Sequence, residues 1–138
     1  MKNTSEYIEK LRNSGLRPTK QRIKICEVLF NRPDTFHFSI NDLMKVIKEK
    51  FNTDIALATV YNTIHAFKKK GYLKQISINS DQSYFDTNTS DHHHFYDLDK
   101  NQLIDIHGYE VGPIKINRQI PEKRVKSIEV LVKLETKK

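Results

Sequence analysis

One cysteine in 138 residues is too few for an intramolecular disulfide or for the paired Cys ligands of a structural zinc site. Cys26 lies in an apolar run, which points to a core side chain and not a reactive thiol. Long hydrophobic runs are missing too. None approaches the roughly 20 residues that cross a bilayer, and residues 1–10 alternate polar and charged groups where a secretory signal carries an apolar stretch. A cytoplasmic protein with no membrane partner is expected. Internal repeats and low-complexity tracts are also absent. A chain of this length holds one ordinary domain or two small ones, which argues against a large enzyme core. With 37% hydrophobic and 30% charged residues it is globular in composition, not disordered.

The net charge is +7, and its distribution is uneven. Residues 1–76 carry 15 Lys and Arg against 7 Asp and Glu, whereas residues 77–138 carry 9 against 10. The cationic field therefore belongs to the first half. Lys and Arg contacts to phosphates release condensed counterions, so this asymmetry suits an N-terminal module that binds a polyanion, with a merely solvated basic face as the alternative.

The first half reads as helices. Residues 5–13 form a short polar helix ended by Ser14-Gly15, and Pro18-Thr19 open a second with Ile23, Cys26, Leu29 and Phe30 on one face. Ser39 followed by Asp42 resembles a capping box, ahead of Ile40, Leu43, Met44, Ile47 and Phe51 at amphipathic spacing. A further helix from Ala56 is expected to bury Leu57, Val60, Ile64 and Phe67 and to finish at three lysines and Gly71. The period then shifts towards two: residues 72–78 and 83–87 read as a hairpin around Asn79-Ser80-Asp81-Gln82. Helices followed by a hairpin give the winged-helix order, in which the last helix enters the major groove. Its outward face carries Thr59, Tyr61, Asn62, His65 and Lys69, groups able to meet bases and phosphates. Downstream, residues 95–98 and 102–106 read as strands around Asp99-Lys100-Asn101, and residues 107–123 as irregular. A last strand is expected to bury Ile128, Val130, Val132 and Leu134. The fold class is α+β, with a winged helix over residues 1–86 and a small α/β unit over 87–138 that requires dimerisation to bury enough surface.

The second half holds the chemistry. His92 and His94, two apart in a strand, share a face while His93 points away. Asp86, Asp91, Asp97 and Asp105 are the nearby carboxylates. A nitrogen and oxygen donor set without thiolates suits Fe(II), Mn(II) or Zn(II). A wet His- and Asp-rich loop is the alternative.

Three motifs together resemble one family. They are Gly15-Leu16-Arg17-Pro18-Thr19-Lys20-Gln21-Arg22, then Ala58-Thr59-Val60-Tyr61-Asn62-Thr63, then Phe85-Asp86 with Asp91-His92-His93-His94. These look like the ferric uptake regulator (Fur) family over residues 8–106. The resemblance implies a homodimeric repressor that binds AT-rich palindromic operators in double-stranded DNA through its winged helix. It further implies a regulatory metal held by His37, Asp86, His92, His94 and Asp105, a pattern closest to the peroxide-sensing branch. Tyr61 and Asn62 become base readers and Arg17 a minor-groove contact, while Thr59 and Lys69 stay DNA contacts expected from the helix face alone. A second metal or haem site would draw on Asp91, His93 and Glu110, with Lys126 where the family usually has a histidine.

Two departures narrow the subgroup. The family's paired Cys-x-x-Cys motifs are missing, so no structural zinc held by four cysteines is expected. The stretch from Phe95 to Ile106 and the shortened C-terminal half resemble the iron response regulator (Irr) branch, whose members respond to haem and control iron homeostasis. That resemblance implies haem as a possible effector, with His93 as an axial ligand. Two readings compete. A non-haem iron enzyme would use two histidines and a carboxylate, but the short C-terminal half offers little substrate pocket, and no enzyme is expected. A DNA-binding module with no effector would leave the histidines as surface groups.

Overall fold

The structure, a computed structural model, describes residues 4–138. It divides into two compact units, one running through Thr89 and the other Ser90–Lys138.

The first unit begins with α1 (Thr4–Asn13), which buries Tyr7 and Leu11 one turn apart on its inner face. Gly15, at φ +76°, takes the left-handed turn that stops it. In α2 (Lys20–Phe30) the Thr19 hydroxyl caps the first turn by accepting from the Arg22 N–H at 3.3 Å. A two-residue strand, β1 (His37–Phe38), leads into α3 (Ile40–Phe51). There the capping box forms as expected, Ser39 and Asp42 each accepting the other's backbone N–H at 3.1 Å. Helix α4 (Leu57–Lys70) ends at Gly71, φ +96°, whose N–H returns to the Phe67 and Lys68 carbonyls. Strands β2 (Lys74–Ser77) and β3 (Ser83–Asp86) make the wing hairpin, and β1 joins β3 on its other side, giving the order β1-β3-β2. Leu11, Ile25, Cys26, Leu29, Phe38, Leu43, Ile47, Val60, Ile64, Phe67 and Phe85 pack into one core. Truncating Phe67 to Ala there would cost about 3–5 kcal/mol.

Leu57 departs from the expected pattern: it is 52% exposed. Ile55, in the turn before the helix and 3% exposed, fills the core position at that level. Leu57 is left on the outward face with Tyr61, one turn on.

In the second unit β4 (His93–Asp97) is the central strand. It pairs antiparallel with β5 (Gln102–Ile106) through a turn closed by Asn101 at φ +51°, and parallel with β6 (Leu131–Leu134). A parallel neighbour requires a long return path, and residues 107–130 provide it. A 3₁₀ turn at Gly108–Glu110 is its regular element. The last strand is therefore shorter than its alternation implied, starting at Leu131 and not near Ile128. Buried side chains are few: His94, Tyr96, Leu103 and Ile106.

Among the described residues no helix is long and apolar enough to cross a membrane.

Candidate metal centre and nucleic-acid interface

The second unit gathers three of the expected ligands. His94 on β4 stands directly opposite Asp105 on β5, and His92 immediately precedes β4 on the same face. The two imidazoles lie 4.3 Å apart between ring centroids. Asp105 Oδ1 is 3.2 Å from His94 Nε2 and 3.5 Å from His92 Nε2. These separations are short, yet among the described residues buried Asp105 Oδ1 receives no hydrogen bond of acceptable geometry. Two imidazole nitrogens and a carboxylate oxygen gathered this closely form a donor cluster that a cation could satisfy. The His92 Nδ1 donates to the Ser90 carbonyl at 2.8 Å, an orientation that in the neutral ring leaves the Nε2 lone pair for a cation. The donor set, two imidazoles and one carboxylate, fits a divalent first-row metal.

The first unit holds the other two. His37 on β1 is the cross-strand partner of Asp86 on β3, with Lys74 on Asp86's other side. The β1–β3 pairing continues one step further, where the Thr87 N–H donates to the Phe36 carbonyl and the Phe36 N–H to the Thr87 hydroxyl. Asp86 is buried, 1% exposed, and accepts from the Asn88 N–H at 2.8 Å. Sequence reasoning did not foresee β1, although this strand is what brings His37 beside Asp86.

The second expected site looks different. His93 Nδ1 accepts the Val130 N–H at 3.0 Å, and the Glu110 carboxylate accepts the His107 N–H at 3.0 Å. Among the described residues, Asp91, His93 and Glu110 do not converge as a ligand set. Tyr96, next but one to His94, is 1% exposed in the unit's core and so is not free to wall a haem.

On α4, Tyr61, Asn62, His65 and Lys69 are exposed and Thr59 is half-buried. The Tyr61 and His65 rings stack at 5.5 Å, an i,i+4 contact that the spacing alone could have signalled. Arg17 is exposed, and its carbonyl accepts from Arg22 Nη1 at 2.9 Å. Arg17, Lys20, Arg22 and Thr59 line one hollow, so the start of α2 adds two cations beside the outward face of α4 that the motif reading had not singled out. The end of α4 carries Lys68, Lys69 and Lys70.

The sequence profile of the ferric uptake regulator family matches residues 13–135. The chain belongs to this family. It is 34% identical over 102 residues to the peroxide operon regulator of Bacillus subtilis (strain 168), covering 74% of this chain and 68% of that protein. It is 32% identical over 106 residues to a ferric uptake regulation protein of Pseudomonas fluorescens, covering 76% and 85%. In fold it is similar to the Vibrio cholerae ferric uptake regulator, with a TM-score of 0.70, 23% identity and coverage of 94% of this chain and 98% of that one. The Pseudomonas aeruginosa ferric uptake regulator solved with manganese gives 0.67, 22%, 96% and 98%. This Fur-family chain is therefore a metal-responsive transcriptional regulator and not an enzyme. Regulators of the Fur family are dimeric DNA-binding proteins.

Proposed function

We propose that this regulator senses a divalent metal, Fe(II) or Mn(II), with His92, His94 and Asp105 from one unit and His37 and Asp86 from the other as its ligands. Occupancy would favour one arrangement of the DNA-binding units over others, and operator affinity would follow from that preference. Arg17, Thr59, Tyr61, Asn62 and Lys69 are the proposed contacts to an AT-rich palindromic operator. The observation that carries the metal reading is the convergence of two imidazole Nε2 atoms on a buried Asp105 oxygen that no hydrogen-bond donor among the described residues satisfies. Zn(II) would fit the same donors in the purified protein.

Relatives of near-equal identity are named for peroxide on one side and iron on the other, so similarity does not select the stimulus. Haem, the effector implied by the Irr-like stretch, is the less favoured reading because His93 Nδ1 is engaged and Tyr96 is core.

The decisive experiment titrates Mn(II) and haem separately while following operator footprints. Metal-strengthened protection, lost in His92→Ala/His94→Ala protein that keeps its wild-type circular dichroism, is the expected result. Haem-driven release with indifference to Mn(II) would overturn the reading, and so would a double variant that responds like wild type.

A further inference from the structure

We propose that His93 is a latch: its Nδ1 fastens the C-terminal strand to the strand bearing the proposed metal ligands, and so holds His92 and His94 in position. This inference rests on the metal reading above.

The three consecutive histidines have three different surroundings. His92 is turned by the Ser90 carbonyl, and His94 stands opposite Asp105. His93, on the other face of β4, accepts the Val130 N–H at 3.0 Å. The next residue's backbone completes the grip, since the His94 N–H donates to the Val130 carbonyl at 3.1 Å. Both backbone groups of Val130 are thus held by adjacent histidines. From there β6 runs in parallel register, with His94 opposite Leu131 and Asp97 opposite Leu134. Its far end is tied by the Leu98 N–H on the Leu134 carbonyl and by the Thr136 N–H and hydroxyl on the Asp99 carboxylate.

The latch excludes ligand duty. A neutral imidazole has one N–H, and a ring that accepts at Nδ1 carries its proton at Nε2. While the Val130 bond stands, His93 has no lone pair left for a metal or a haem iron. The latch also has a reason to exist. β6 arrives after a largely irregular return path, and closing that path is entropically unfavourable without specific fasteners. Without β6, β4 becomes an edge strand with its His94 N–H released, and edges open readily. The backbone that sets the spacing of His92 and His94 would loosen with it.

Two substitutions test the proposal. His93→Asn places a carbonyl oxygen where Nδ1 sits, keeping the acceptor while discarding the imidazole; His93→Leu discards both. The readouts are Co(II) affinity, followed by its visible absorption, and amide exchange at Val130. The Asn variant is expected to match wild type in both. The Leu variant is expected to bind Co(II) roughly tenfold or more weakly, the usual scale for losing a group that supports a metal ligand, and to lose protection at Val130. Equal loss of Co(II) binding in both variants would make His93 a ligand and overturn the proposal. Unchanged Co(II) affinity in the Leu variant would also overturn it, whether or not Val130 protection falls. If wild-type protein takes up no Co(II), the metal reading fails, and Val130 exchange in the two variants still decides whether the latch exists.

Discussion

At the scale of single residues, two buried protons tie stability to pH. Burial raises the Cys26 thiol from its ordinary value near 9.0 to about 12. Burial, reinforced by a hydrogen bond to Glu27, raises the Tyr7 hydroxyl from 10.0 to about 12. Both groups hold their protons more tightly in the folded chain. Their contribution is complete below the unfolded values and is lost as pH rises through the folded ones. Stability is therefore expected to fall between about pH 9 and pH 12. The urea midpoint checks this: wild type should lose more between pH 8 and pH 11 than Cys26→Ala, and equal losses would contradict the assignment to Cys26. Native Cys26, 0% exposed, should also resist thiol reagents until the protein unfolds. Its role could be read from the sequence because an apolar run surrounds it. The exposure of Leu57 could not, because it depends on Ile55, which precedes the helix and lies outside its period.

At the scale of elements, the operator contacts proposed on α4 are of two kinds that would differ in their response to salt. Tyr61 and Asn62 lie on its exposed face, Tyr61 braced by the His65 ring, whereas Lys69 belongs to a cationic C-terminal turn. Replacing Tyr61 or Asn62 with Ala should weaken specific binding by about 1–3 kcal/mol and leave nonspecific binding intact. Lys69→Ala should lower affinity for all sequences alike and reduce the slope of log affinity against log salt by about 1. Fluorescence anisotropy on operator and scrambled duplexes over a salt series separates the two effects, and a Lys69 variant with an unchanged slope would remove that contact. The helices were legible because their caps and periods are local: Thr19, the Ser39–Asp42 box and Gly71 act within one turn of chain. Strand β1 was not, because two residues carry no period and His37–Phe38 owe their conformation to β3. The same separation explains the proposed metal ligands. The His92–His94 alternation is visible in four letters, whereas the Val130 latch joins residues 37 apart.

At the scale of the whole molecule, apolar exposure is as uneven as charge. Among the described residues of the first unit the exposed large apolar side chains are Leu57 and Tyr61, both on α4. The second unit exposes Leu98, Ile104, Tyr109, Ile114, Ile116, Ile120 and Val125, while burying few side chains of its own. A sheet of three short strands cannot offset its chain entropy with so small a core, and burying these apolar side chains against a second copy would supply more. Dimerisation, general in the family, is the natural source of the missing burial. The two units should therefore respond differently to dilution. Below the dimer dissociation constant, limited proteolysis should attack residues 107–130 while the unit ending at Thr89 survives as a protected fragment. Ile116→Asp together with Ile120→Asp should produce the same pattern at concentrations where wild type is dimeric, since each charge would have to be desolvated at the interface. Sedimentation equilibrium run beside the digests checks the cause. A variant that remains dimeric, or a C-terminal unit equally resistant at every concentration, would show that the exposed isoleucines face solvent in the assembled regulator.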